Sequence, residues 1–375
     1  MLPAVPCTAG AGTLGTAHPT ARRTHAAAPL LGVLNRQLDL SIIVVNWNTV
    51  DLLRDCLASV AAHTHTVRYE MIVVDNGSHD GSVAMLETEF PEARLLVNER
   101  NLGFATANNQ GLRQARGRYL LLLNSDTVVL EGALDRAVQY MDEHAHYGAL
   151  GPTLRNADGS AQLSVYPFPH VLRDALVVLE VNRWPLVSRA SRWWGRRRDT
   201  GMSAQTEDVD WVMGACLLLR REALEQAGVL DAAYFFGTEE TDLQYRLRRH
   251  GWPAVYLTEA TIIHLGGGSR KEIVATHLVW YLTGRLRYYR LHFPPAAYLV
   301  MRLAIAVSSL GHLLALLTRP RPTRNDLTLR AAYVRVAVRA LRGYNPFDRA
   351  PLSQGNAGDS ANVGEPGEGE EVSTP

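Results

Sequence analysis

The sequence is poor in cysteine, with only Cys7, Cys56 and Cys216 among 375 residues. Three scattered thiols exclude a disulfide framework and a zinc knuckle, and a reducing, cytosolic compartment is the simplest reading. Net charge is nearly absent at +1, so no global electrostatic argument points to nucleic acid. The N-terminus lacks the continuous apolar core of a secretory signal, being broken by Pro3, Pro6, Gly10, Gly12 and Gly15. Charged residues make up 20% and hydrophobic ones 47%, an ordinary balance for a folded soluble core. The length suits one large catalytic domain plus an appendage. Arg319 to Arg349 is dense in arginine, whereas Asp359 to Glu371 carries only acids.

Residues 1–38 are rich in Ala, Thr, Pro and Gly without usable periodicity, and are expected to form a disordered leader. Gly10-Ala-Gly12-Thr-Leu-Gly15 within it fits the dinucleotide fingerprint, but Met1 to Ala9 offers no strand to precede the glycines, so composition bias explains it better. From Leu40 the pattern changes. Leu40-Ser-Ile-Ile-Val-Val45 predicts a buried parallel strand ending at Asn46, followed by a helix over Val50 to Ala62. Further strands are predicted at Met71 to Val74, Ala93 to Val97 and Tyr119 to Leu123, with a helix over Ala105 to Arg116. This alternation implies βαβ units and a mostly parallel sheet in an α/β fold.

Polar clusters follow each strand: Asn46 to Asn48, Asp75 to Ser78, Asn98 to Gly103, and Asn124 to Asp126. Open α/β sheets bind ligands beyond the carboxyl ends of their strands, so four strand ends nominate one cleft. Residues 167–206, irregular and rich in Arg, Trp and Pro, read as an insertion. Trp211 to Leu219 resembles a strand pair, Glu239 to His250 a helix, and Ala254 to Leu257 and Thr261 to His264 short extended pieces.

Several residues could carry chemistry. Asp126, closing a buried strand with Asn124 two residues before it, could hold a divalent cation or cap the helix expected near Glu131. Asp75 could accept from a base N–H or close its own Asx-turn ahead of Gly77. His264 precedes Gly266-Gly267-Gly268-Ser269 and offers an imidazole where backbone can approach a ligand. Glu239, Glu240 and Asp242 crowd a helix start, where the macrodipole favours acids and where like charges can raise a pKa to suit a general base.

Together these motifs resemble the family 2 glycosyltransferases, especially their bacterial rhamnosyltransferase-like branch, over Leu40 to Ser269, some three-fifths of the chain. Val45-Asn46-Trp-Asn48 is similar to the family's first strand end. Val74-Asp75-Asn-Gly-Ser-His-Asp-Gly-Ser82 is similar to its base-binding turn, which assigns Asp75 to the nucleobase. Asn101-Leu-Gly103-Phe-Ala-Thr-Ala-Asn-Asn-Gln-Gly111 resembles its helix-opening signature. Leu121-Leu-Leu-Asn124-Ser125-Asp126 resembles its DxD element with Asn124 in place of the first Asp. Trp211-Val-Met-Gly214-Ala215 resembles the acceptor-side segment, and Phe235 to Arg246 the motif carrying the base.

The resemblance implies a GT-A-type αβα sandwich over 39–270 and an inverting transfer from a nucleotide-diphosphate sugar. A divalent cation, Mg or Mn, would be held by Asp126 and His264. Glu240 would be the base, with Glu239 and Asp242 as substitutes. Rhamnose from a dTDP donor is expected, with UDP-linked galactofuranose, N-acetylglucosamine or glucose as alternatives, and a cell-envelope glycan or lipid-linked acceptor. A sugar nucleotidyltransferase and an inactive membrane scaffold are the rival classes.

Residues 271–349 are expected to be a helical, membrane-associated appendage, and 350–375 a disordered acidic tail. Ala296 to Leu317 is long enough to span a bilayer. At about 100° per residue, Arg302, Ser308, Ser309, His312 and Arg319 fall in one narrow stripe, which predicts a helix lying in the interface. Arginines 319, 321, 324, 330, 335, 339 and 342 would then meet anionic headgroups, placing the protein at the cytoplasmic face of the plasma membrane.

Overall fold

The computed structural model describes residues 31–35, 37–180, 205–266, 274–319 and 323–343. The glycine fingerprint of the leader, residues 181–204 of the insertion, Gly267 to Ser269, Arg321 and the acidic tail lie outside the described residues.

The parallel heart of the sheet is β1 (Leu40–Asn46), flanked by β2 (Tyr69–Asp75) and β4 (Tyr119–Asn124), with β3 (Arg94–Val97) beyond β2. Alternate residues of β1 feed opposite layers, as strand geometry requires. Ile42 and Val44 pack with Leu53, Leu57 and Val60 of helix α1 (Val50–His63). Ile43 packs on the other side with Leu112 of helix α3 (Phe104–Gln114). A second crossover helix, α2 (Ser82–Glu89), joins β2 to β3. Fully burying each such aliphatic side chain contributes about 1.5–3 kcal/mol. The αβα sandwich thus arises from two-sided apolar strands.

Five later strands extend the sheet. β10 (Cys216–Arg220) runs antiparallel between β4 and β6 (Ala149–Arg155). β11 (Ala254–His264) runs parallel to β6 and antiparallel to the short β5 (Thr127–Val129) and β8 (Glu207–Val209). The two extended pieces expected at 254–257 and 261–264 are thus one strand with a register shift between Leu257 and Thr261. The strand pair expected at Trp211 to Leu219 divides. β9 (Trp211–Val212) pairs with β7 (Val165–Tyr166) in a separate two-stranded sheet, and only β10 joins the main one.

The end of the expected leader already lies against this body. Leu31 is buried, the Gly32 N–H donates to Leu112 O, and the buried Arg221 side chain donates to Gly32 O. Part of the expected insertion is also regular: α5 (Val171–Val178) is a helix whose Ala175 joins a second core. That core is completed by α8 (Val274–His292), α9 (Pro295–Leu317) and α10 (Arg324–Arg342) through Val279, Met301, Ile305 and Val336. Helices α4 (Ala133–Glu143), α6 (Arg221–Ala227) and α7 (Glu239–Arg249) complete the main layers.

The polar stripe of α9 points inward rather than to headgroups. Arg302 donates to the carbonyls of Ala340 and Leu341 at the end of α10, Ser309 is buried, and His312 stacks on Tyr333. Arg319 pairs with Asp326, Arg330 donates to Leu316 O, and Arg339 donates to Thr283 Oγ1. The face left outside is apolar.

Gly103 shows how closely the chain must approach itself. Its φ is +89°, a side chain there would meet Phe235 O at 2.8 Å, and the adjacent Phe104 N–H donates to that same oxygen at 2.7 Å. Gly103→Ala is expected to lower stability by more than about 1 kcal/mol, because both the backbone angle and the space oppose a Cβ. Urea unfolding checks this, and an unchanged midpoint would refute the interlock.

Candidate active site

The strand ends meet in a hydrogen-bonded chain. The register aligns Asn46 with Asp75 and Val45 with both Val74 and Asn124. Asn46 is fully buried; its Nδ2 donates to Asp75 Oδ2 at 3.0 Å and to Ser78 Oγ at 3.1 Å, while its Oδ1 accepts from Thr49 Oγ1 at 2.6 Å. Thr49 in turn lies 2.9 Å from Ser125 Oγ. One polar thread therefore runs from β2 through β1 to the residue before Asp126.

The first two expected loops interlock with a third. Asn48, held at φ +52°, accepts from the His79 N–H through Oδ1, and Asn76 Nδ2 donates to Asn101 Oδ1. Asn101 Oδ1 also accepts from the Gly103 N–H. Asp75 is fully buried, and its Oδ1 accepts from the N–H groups of Gly77 and Ser78 at 3.2 and 2.9 Å. This is the Asx-turn alternative. The Asp75 carboxylate shapes the turn, and His79 and Asp80 form its exposed edge.

Asp126 does not cap a helix, because β5 intervenes before α4, whose own N-terminal flank is Gly132. The antiparallel pairing of β5 with β11 sets His264 opposite Thr127, which brings His264 Nε2 to 3.3 Å from Asp126 Oδ1. Asn124 Nδ2 lies 3.5 Å from the same nitrogen, and Gln162 Oε1 lies 2.7 Å from Nδ1. Both side chains are mostly buried, and one carboxylate oxygen beside one imidazole nitrogen suits a divalent cation completed by phosphate oxygens. Among the described residues no group of three or more His, Cys, Asp or Glu side chains could hold a metal ion, so the protein's share would be these two ligands.

The acids of α7 separate into distinct roles. Asp242 is buried; its Oδ1 faces His292 Nε2 at 2.6 Å and its Oδ2 faces Arg246 Nε at 2.9 Å. Burial raises its pKa, but His292 and Arg246 outweigh that and hold it below the ordinary range. Asp242 is an ion-paired strut, which removes it as a substitute base. Glu240 lies alongside Gly214, its Cβ and Cγ at ordinary contact distance from where a Gly214 side chain would begin. Burial pushes the Glu240 carboxyl up. Glu239 is pushed to about 8, first by burial and then by the charge of Glu240. Among the described residues neither Glu239 Oε2 nor Glu240 Oε2 finds a hydrogen-bond partner. Burial, with the charge of Glu240 acting on Glu239, pushes both carboxyls up, so the pair holds protons more readily than two exposed glutamates would.

The acceptor-side segment is fixed from both flanks. Trp211 stacks on Tyr166 at 4.6 Å, and the Gln244 amide both accepts from the Val212 N–H and donates to Val212 O. Ala215 O accepts from the Asn124 N–H at 2.9 Å, joining this segment to the Asp126 turn. Thr49, Gln162, Gln244 and His292 escaped the sequence reading, since none lies in a motif that marks its partner.

The raised Glu239 predicts a stability profile. Between the ordinary glutamate value of 4.5 and about 8, the folded chain keeps a proton that the unfolded chain has lost. Stability therefore falls as pH rises across this window. In urea titrations from about pH 5 to about pH 9, Glu239→Gln is expected to flatten that fall; a variant profile parallel to wild type would refute the assignment.

The comparisons fit this geometry. The sequence profile described as Glycosyl transferase family 2 matches residues 41–228, just over half of the chain, which includes β1 to β4 and the turns at their ends. The chain is 29% identical over 250 residues to N-acetylglucosaminyl-diphospho-decaprenol L-rhamnosyltransferase of Mycobacterium tuberculosis, covering 64% of this chain and 80% of that protein. It is 27% identical over 241 residues to the O-antigen biosynthesis protein RfbC of Myxococcus xanthus, covering 62% of this chain but only 18% of the relative. Among solved structures, mannosyltransferase PcManGT from Pyrobaculum calidifontis, in complex with GDP-Man and Mn2+, is 15% identical with a TM-score of 0.46, covering 84% of this chain and 90% of that one. The profile stops short of Glu240 and His264. With its profile seated on the strand ends that build the cleft, the chain belongs to glycosyl transferase family 2.

Proposed function

We propose that the protein transfers a sugar, with inversion, from a nucleotide-diphosphate donor to an envelope glycan or lipid-linked acceptor. One set of contacts supports the reading: Glu240 lies against Gly214, the neighbouring Ala215 O accepts from the Asn124 N–H, and Asp126, two residues on, lies 3.3 Å from His264 Nε2. The donor's diphosphate would lie across the carboxyl ends of β1 and β4, with its base against the exposed edge of the Gly77 to Asp80 turn. Asp126 and His264 would hold Mg2+ or Mn2+, which when bound neutralises charge on the leaving diphosphate. Glu240 accepts the proton of the attacking acceptor hydroxyl, its basicity raised by burial. The mycobacterial relative favours rhamnose as the sugar, and the resemblance favours dTDP as its carrier.

The outer face of α9 and α10 supports a membrane setting. Leu303, Val307, Leu310, Leu314 and Leu317 are exposed along α9, and Leu327, Val334, Val338 and Leu341 along α10. By length and composition alone α9 could cross a bilayer. Its partner α10 carries exposed Arg335 and Arg342 and packs along it, so a crossing would drag those charges inward. The two helices lying in the interface leave their arginines at headgroup level.

Glu240→Gln is expected to retain donor binding while transfer falls roughly 10²–10⁴-fold. A donor panel of dTDP-rhamnose and UDP-sugars, scored by nucleoside diphosphate release with Mn2+, reads both this loss and the donor. Turnover near wild type in the variant would remove Glu240 as base, and release from a UDP-sugar alone would replace the rhamnosyl reading. In flotation with vesicles containing anionic lipid, the full chain is expected to float and the triple change Leu303→Glu, Val307→Glu, Leu314→Glu to stay below. Equal flotation would discard this face as the contact.

A further inference from the structure

We infer that Gln162 is a positioning residue that fixes the tautomer of His264 and thereby keeps its Nε2 able to take a cation. The inference rests on the reading of Asp126 and His264 as the cation pair. Gln162 follows β6 after the turn at 156–160, where its own N–H donates to Leu154 O at 2.9 Å. Its side chain reaches the inner end of β11, with Oε1 2.7 Å from His264 Nδ1.

The surroundings settle which end of the amide faces the ring. Gln162 Nε2 lies 2.9 Å from Asn156 Oδ1 and 3.4 Å from the carbonyl oxygen of His264. A backbone carbonyl can only accept, so the NH2 must be on that side. Asn156 agrees, because its Nδ2 donates to Ser160 Oγ and leaves Oδ1 as the acceptor. Gln162 Oε1 therefore faces Nδ1, and an oxygen without hydrogen demands that Nδ1 carry the proton. In the neutral ring the lone pair is then on Nε2. That nitrogen is the one 3.3 Å from Asp126 Oδ1, and the Asn124 Nδ2 lies 3.5 Å from it.

The competing arrangement is a plain hydrogen bond from Nε2–H to Asp126, which would close the pair to any cation. The 2.7 Å contact disfavours it, because the opposite tautomer sets two lone pairs, on Nδ1 and Oε1, against each other. Partners behind a ligating histidine typically change metal affinity about 10–100-fold. Here the partner is a neutral amide, itself held by Asn156, so it orients the ring without adding charge.

The test uses the full chain. ¹⁵N NMR of the metal-free imidazole at about pH 8.5, well above the ordinary histidine pKa, is expected to report Nδ1–H for His264. In Gln162→Leu this preference is expected to be lost. Mn2+ binding in the presence of dTDP, read by electron paramagnetic resonance, is expected to weaken about 10–100-fold in Gln162→Leu. Gln162→Glu, which keeps an acceptor oxygen, is expected to restore both readouts. Nε2–H in the wild-type protein, or unchanged tautomer and Mn2+ affinity in Gln162→Leu, would overturn the inference. Wild-type protein that shows Nδ1–H but binds no Mn2+ with dTDP would instead sink the cation reading and leave the tautomer assignment standing.

Discussion

Three parallel strands that end at the same level set every other distance in the cleft. Because β1, β2 and β4 are apolar on both faces, side-chain alternation alone specifies their register weakly; a slip by one residue would still bury aliphatics. The polar terminations supply the missing specification. Asn46 reaches Asp75, Ser78 and Thr49 only while these strand ends coincide. Each buried polar group left unpaired by a slip would cost about 1–3 kcal/mol. The residues that build the cleft are also those that hold the sheet in register.

Distant segments are drawn in where a side chain is missing. A Cβ on Gly77 would meet the Arg100 backbone, and one on Gly103 would meet Phe235. These approaches bring the turn after β2 against the loop before α3, and that loop against the chain leading into α7. Thr238, at φ +86°, completes the sharp entry into α7. A bent, tightly supported entry fixes the direction of the first helical turn, and hence of Glu240, more firmly than an exposed helix start would.

The strands and the polar clusters at their ends were legible because both are local signals: an apolar run, then a polar stop. The roles of individual side chains were less so, because each depends on a partner far along the chain. Asp75 looks the same in sequence whether or not it closes its own turn, and only the fold brings Asn46 to its second oxygen. Asp242 is indistinguishable from its neighbours until His292 arrives fifty residues later. The polar stripe of α9 was read correctly as a stripe, but a helical wheel does not say which side is covered. The carbonyls at the end of α10 capture Arg302 and turn that side inward. Gln162 carried no signal at all, since one glutamine beyond a strand is unremarkable until β11 brings His264 beside it.

The boundary expected near residue 270 divides what the packing unites. On α8, Trp280 lies 4.3 Å from Phe235, Gly284 passes too close to Gly237 O for any side chain, Arg287 binds Asp231, and His292 binds Asp242. All four contacts grip α7 or the loop that enters it. Asp242 is thereby committed to holding α7 against α8. Because α8 also shares a core with α9 and α10, a surface that docks those helices orients the helix carrying Glu240 at the same time. For an acceptor presented at a membrane, that continuity would set the proposed base relative to the bilayer without a separate hinge.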